Sequence, residues 1–108
     1  MTAPPVKPAT LERAALLALC VLDDAGFDES EVGISPGDGV ACTAHMTIRA
    51  TRRLRTWTPL GWDDQFFLYE TVVWRHHLTE DNVERLVADA VDKCVLAFVR
   101  ATFRQRSY

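Results

Sequence analysis

The chain has 108 residues, of which 48% are apolar and 25% charged, and its formal net charge is −3. This length suits one domain with a real hydrophobic core, and the composition excludes a chain that is disordered throughout. A net negative charge gives no general attraction to nucleic acid or anionic lipid, so electrostatic recognition must be local.

Residues 1–9 hold three of the five prolines and predict an extended arm. Thr10 is a suitable N-cap for a first helix that runs to about residue 25, with Gly26 as its stop. Every residue of 14–22 is apolar, which indicates a helix covered nearly all round. The segment is too short to span a bilayer, and we expect no membrane association.

The three cysteines, Cys20, Cys42 and Cys94, lie far apart in apolar runs and have no CxxC spacing. This pattern argues against a disulfide framework or a zinc site and favours a reducing compartment. We expect all three on core faces, where thiols are inert, in a cytoplasmic protein.

Three segments predict strands. Residues 28–39 are acidic and turn-rich, and within them residues 32–34 suit a short edge strand, which a turn over residues 35–39 joins to the next strand. Residues 40–56 alternate apolar and polar side chains, which is typical of a strand with one core face. Residues 65–76 carry bulky side chains on both faces, which favours a central or partly covered strand.

The last thirty residues predict one long helix with Thr79 as its N-cap. One apolar stripe suits the core, and it consists of Val83, Leu86, Val87, Ala90, Val91, Cys94, Ala97, Phe98 and Ala101. Leu96, Val99 and Phe103 lie on the opposite side and need a second covering surface, either the first helix or another molecule. The helix would be roughly 39 Å long to residue 104, so its end should project past the sheet.

Arginine and aromatic residues form the best candidate binding surface. Arg49, Arg53 and Arg55 share the strand face opposite the core. We expect four further residues beside them: Trp57, Tyr69, Arg75 and His77. Guanidinium groups beside aromatic rings suit phosphates, stacked bases or carboxylates of a protein surface. The alternative is that these arginines only cover apolar surface with their stems.

No residue pattern predicts catalysis, a metal or a cofactor. His76 and His77 are adjacent, so on a strand they point to opposite faces and cannot hold the same ion. No nucleotide-binding motif is present, and no catalytic residue can be named.

The sequence therefore predicts one α+β domain over 10–108: a helix, an antiparallel meander of two to three strands, and a long C-terminal helix. Both helices pack on one face of the sheet. We expect a non-enzymatic interaction, adaptor or inhibitor protein, homodimeric through Leu96, Val99 and Phe103, with a protein partner. The alternatives are a nucleic-acid-binding protein that uses the arginine face, and a small-ligand-binding or enzymatic domain with an unrecognised site.

Overall fold

The computed structural model describes residues 6–38, 42–55 and 63–106, with the backbone alone at 54–55, 63–65 and 103–106. The elements in chain order are α1 (Pro8–Asp24), β1 (Glu29–Pro36), β2 (Ala44–Arg55), β3 (Asp63–Trp74) and α2 (Val83–Arg106). The predicted α+β order is confirmed. Within these ranges, none of the helices combines the length and apolarity needed to cross a membrane.

The first helix begins earlier than expected. Pro8 occupies its first turn, where a missing N–H costs nothing, and Lys7 precedes it without a side-chain cap. Thr10, expected as the N-cap, lies inside the helix and is only 3% exposed, so that prediction is wrong. The proline preorganises the backbone and makes a hydroxyl cap unnecessary.

The helix ends as Gly26 predicts. Gly26 has a φ of +90°, a conformation open to glycine at little cost. Its N–H donates to the Asp23 carbonyl at 3.0 Å, and the next N–H, from Phe27, donates to the Leu22 carbonyl at 3.2 Å. These two bonds form a Schellman motif, which turns the chain toward the sheet.

α1 is buried on one side only. Ala14, Ala18 and Leu22 are fully buried, whereas Leu16 is 64% exposed and Cys20 is exposed. The expectation of cover all round, and of a core position for Cys20, is therefore wrong. The apolar run covers all sides of the helix, but only one side contacts the rest of the domain, so the apolar residues on the other sides are left in solvent.

The three strands form an antiparallel sheet in the order β1-β2-β3. Among the described strands, β2 is therefore central and β3 lies at an edge, with Phe67, Tyr69 and Val73 exposed on its outer face, which corrects the prediction of a central or partly covered position for β3. β1 is also longer than the three residues expected. Cross-strand neighbours include Glu31 and Arg49 between β1 and β2, and Arg49 and Tyr69 between β2 and β3.

Both helices pack on one face of the sheet, as predicted. α1 contacts β1, α2 contacts β3, and the two helices contact each other. The inner face of the central strand is buried beneath them from Ala44 to Ala50, through Ala44, Met46, Ile48 and Ala50. The opposite face of the sheet is not covered by any element of the described chain.

The helices run side by side in the same direction. At their starts, Arg13 and Glu84 form an ion pair at 3.8 Å. Beyond the end of α1, the rings of Phe27 and Phe98 meet with centroids 5.2 Å apart. α2 continues past this contact, so the predicted projection of its end is present.

Hydrogen bonds define the start of α2. The Asn82 N–H donates to Thr79 Oγ1 at 3.3 Å, and the Thr79 N–H donates to Asn82 Oδ1 at 2.8 Å. This reciprocal pair is a capping box with asparagine in the third position. Thr79 therefore caps the segment as predicted, although the regular helix begins only at Val83, after one turn.

Candidate functional site

The outer face of the sheet, hereafter the open face, is the candidate site because the helices leave it in solvent. Alternate residues of each strand point into it. They are Glu29, Glu31, Gly33 and Ser35 of β1; His45, Thr47, Arg49, Thr51 and Arg53 of β2; and Phe67, Tyr69, Thr71 and Val73 of β3.

Each strand contributes a different chemistry to the open face. β1 supplies carboxylates, β2 supplies arginines and β3 supplies apolar and aromatic side chains. Phe67 is 72% exposed, Tyr69 62% and Val73 54%. Single exposed apolar residues are ordinary, but three along one strand form a patch of the kind that marks a contact surface.

Arg49 and Tyr69 interact across the hairpin. They are direct cross-strand neighbours, and the Arg49 guanidinium carbon lies 5.4 Å from the centroid of the Tyr69 ring. This distance is within the range of a cation–π interaction. The contact places the guanidinium beside the exposed ring of Tyr69 on the open face.

A shallow groove of about 560 Å³ crosses the open face. Glu29 and Glu31 line one side, Phe67 and Tyr69 line the other, and Arg49 lies between them. The groove is broad and open, which suits a side chain or a peptide segment better than an enclosed small molecule.

The structure brings three of the predicted binding residues together. Arg49, Arg53 and Tyr69 are exposed on the open face. Arg75 is exposed one residue beyond the end of β3. Arg55 pairs with Asp63 in the backbone register of the hairpin, and its side chain lies outside the description.

Of the other predicted residues, one is not described and one lies elsewhere. Trp57 lies outside the described residues. His77 lies beyond the end of β3 and lines a separate cleft with Lys7, Thr10 and Thr79. Its carbonyl accepts a hydrogen bond from the Asn82 side chain at 2.9 Å. The chain turns toward α2 after Trp74, so the strand alternation does not extend to His77.

The predicted oligomer patch is partly described. Leu96 is 50% exposed and Val99 41% exposed. Phe103 lies within α2, but its side chain is outside the description. α1 packs against the other stripe of α2, so it does not cover Leu96 and Val99. Ala97 and Ala101 are exposed as well, against the prediction: Ala97 lies at the edge of the stripe, about 100° from the buried Phe98, and Ala101 lies beyond Phe98.

Several residues of the open face were not predicted as part of the site, among them Phe67, Val73, Glu29 and Glu31. Phe67 and Val73 were assigned to a covered strand face, and Glu29 and Glu31 to a turn-rich loop. From Glu31 to Ser35 the segment nevertheless alternates, with Val32 and Ile34 on one parity and Glu31, Gly33 and Ser35 on the other. This alternation was the signal that would have identified a full-length strand.

The described residues offer little for catalysis. Burial, and to a smaller extent the charge of Glu70, raises the pKa of the Cys94 thiol, which makes it a poor nucleophile. Nowhere in the described ranges do three His, Cys, Asp or Glu side chains cluster closely enough for a metal ion.

The nucleic-acid alternative is weakened by the charges of β1. Glu29 and Glu31 share the open face with Arg49 and Arg53, and Glu31 is a direct cross-strand neighbour of Arg49. Phosphate groups need a surface whose local charge is clearly positive. On this face the carboxylates offset the arginines.

Comparisons with protein-family models, with curated proteins and with solved structures find no match for this chain. Its function has to be inferred from its own geometry.

Proposed function

We propose that this protein is a non-enzymatic interaction protein that binds a protein partner through the open face. The observation that carries the proposal is the exposure of Phe67 and Tyr69 beside Arg49 on a regular sheet. Aromatic residues and arginine are the residue types that most often dominate protein–protein binding energy. Placed on strands, they lose little conformational entropy on binding.

The exposed area of the two rings is a substantial part of what a protein–protein interface needs. A buried Phe or Tyr removes about 150–250 Å² from water, so the exposed fractions of Phe67 and Tyr69 correspond to roughly 200–330 Å². A standard interface covers about 800 Å² on each partner. The two rings would supply between a quarter and two fifths of that area, with the arginines and glutamates around them.

Site-specific photo-crosslinking tests this proposal. A photoreactive phenylalanine analogue at position 67 should give a defined protein adduct in cells that express the chain. The matched control is the same analogue at Leu16, which is 64% exposed on α1. We expect an adduct at position 67 that is lost with Arg49→Glu. No adduct at position 67, or the same adducts at position 16, would refute the proposal.

We further propose that two copies associate through the distal half of α2. Leu96 and Val99 support this, because they are exposed on a projecting helix that α1 does not cover. Sedimentation of the wild type beside Leu96→Asp measures it, with Leu16→Asp as the exposed-leucine control. We expect a dimer that only Leu96→Asp dissociates. A monomeric wild type at about 50 μM, in the micromolar range of many transient dimers, would contradict the proposal.

The cysteines support a cytoplasmic location as part of the same proposal. None of the three forms a disulfide within the described structure, and Cys20 is exposed. An exposed free thiol is stable in a reducing compartment and is oxidised easily outside one. Fractionation of expressing cells would test the location directly.

A further inference from the structure

Two neighbouring rows of side chains cross the open face and differ mainly at their centres. The first row is Glu31, Arg49 and Tyr69, and the second is Glu29, Thr51 and Phe67. Each row begins with a glutamate on β1 and ends with an aromatic ring on β3. Only the first has a cation between them.

The chain itself fills the first row. The Arg49 guanidinium lies over the Tyr69 ring at 5.4 Å, and Glu31 is its neighbour on the other strand. In this row the guanidinium makes a cation–π contact with the ring. Glu31 adds a negative charge on the neighbouring strand, without an ion pair to Arg49 among the described side chains. The first row therefore shows that a ring at the β3 end of a row accepts a guanidinium on its face.

The second row has the same ends and lacks the cation. Thr51 at its centre is short and half-buried, while Glu29 is exposed and Phe67 is 72% exposed. Adjacent strands lie about 4.8 Å apart, so the two ends are roughly 10 Å apart across the central strand. The groove of about 560 Å³ includes all three residues of this row.

We infer that the row of Glu29, Thr51 and Phe67 binds an arginine side chain of the protein partner. The guanidinium would stack on the Phe67 ring and donate hydrogen bonds to the Glu29 carboxylate. Arginine fits better than lysine because its guanidinium is planar, weakly hydrated and able to pair with a carboxylate through two bonds. The inference rests on the proposed function and specifies the chemistry of that partner.

Arg53 is the internal competitor for this row. It follows Thr51 on the same face, and it lines a smaller cleft with Asp28, Glu29 and Thr51. Its backbone N–H donates to Asp28 Oδ2 at 2.7 Å, and its cross-strand neighbour is Gln65. Arg53 thus belongs to the next row, and the ring of Phe67 remains 72% exposed beside it.

A titration with a single arginine isolates the site from the rest of the partner. The probe is Nα-acetyl-arginine N-methylamide, added to the full-length, isotope-labelled protein and followed by NMR. Its neutral isostere, the citrulline analogue, is the control. A surface ion pair and an exposed cation–π contact each raise affinity only about two- to fivefold, so binding should be in the millimolar range.

We expect saturable shifts at the amides of residues 29, 51 and 67 with the arginine probe and none with citrulline. Glu29→Gln and Phe67→Leu should each weaken binding by about two- to fivefold. Glu31→Gln, the matched control in the filled row, should change it less than about twofold. Spectra of each variant without probe confirm that the fold is retained.

The inference falls if these amides do not shift, if citrulline shifts them equally, or if Glu31→Gln weakens binding as much as Glu29→Gln. It also falls if Arg53→Gln strengthens binding by about tenfold or more, a difference of 1.4 kcal/mol, since Arg53 would then occupy the row. A crosslink at position 67 that excess arginine probe does not reduce would refute this inference and leave the proposed function standing.

Discussion

Truncation of Phe98 to alanine tests how α2 is oriented on the rest of the domain. Phe98 is 9% exposed and contacts the Phe27 ring just after the end of α1. It is the last residue of α2 that is buried within the described side chains. Its loss should therefore separate the projecting part of the helix from the core.

The expected loss of unfolding free energy in Phe98→Ala follows from the burial of the Phe98 ring. Phe→Ala in a core costs about 3–5 kcal/mol, and an aromatic pair contributes about 0.5–1.5 kcal/mol of that. Ala97 and Ala101, which flank Phe98 along the helix, are exposed and let water reach the cavity. We therefore expect a loss of unfolding free energy at the lower end of the range, about 3 kcal/mol. A domain of this size has a stability of about 5–15 kcal/mol, so the variant should still fold.

Urea unfolding followed by circular dichroism measures this difference. With an m-value of about 1–3 kcal/mol/M, the midpoint should fall by roughly 1–3 M. Leu96→Ala is the matched control, since Leu96 lies on the same helix and is 50% exposed. It should cost about 1 kcal/mol or less. Equal costs for the two variants at low protein concentration would show that the distal helix is rotated from the orientation described above.

Further outcomes follow from the local geometry. Gly26→Ala should lower the free energy of unfolding by about 1–2 kcal/mol, because alanine is strained at the positive φ of this residue. Gly33→Ala is its control: an added Cβ there meets nothing within 4 Å, so the urea midpoint should change little. Asn82→Ala should lower stability by about 1–2 kcal/mol through loss of the capping box, and an unchanged thermal midpoint would contradict that box. Because the pKa of Cys94 is raised, fewer thiolates exist near pH 8, and alkylation of Cys94 should lag behind that of a free cysteine peptide. Glu70→Gln removes the negative charge that makes the smaller contribution to the raised Cys94 pKa, so it should speed alkylation by no more than about threefold. If Cys94 of the wild type reacts as fast as the free peptide, the assigned burial is refuted.

The parts of the candidate site that depend on the pattern within one strand were predictable, and the parts that depend on pairing between strands were not. Arg49 and Arg53 were assigned to the face opposite the core from alternation along one strand, and the structure exposes both there. The pairing of Arg49 with Tyr69 depends on the register of the hairpin, which alternation does not provide. Glu29 and Glu31 were missed because their acidic, glycine-containing surroundings resemble a loop.

The covering of surfaces was the least predictable feature. Phe67 and Tyr69 suggested a covered strand, since bulk on both faces is common in central strands. β3 is instead an edge strand with one face in solvent. The apolar run of α1 likewise suggested cover all round, yet Leu16 is 64% exposed.

The sequence by itself determined the type and order of the elements, the stop of α1 at Gly26, the cap at Thr79 and the buried stripe of α2 from Val83 to Cys94 with Phe98. These are consequences of local periodicity and capping chemistry, which act over a few residues. Only the tertiary structure decided that β2 is central, that α1 leaves Leu96 and Val99 uncovered, and that two rows of carboxylate and ring cross the open face. Register and layer packing arise from contacts between residues distant in the chain, and no local pattern specifies which surface will lie against which.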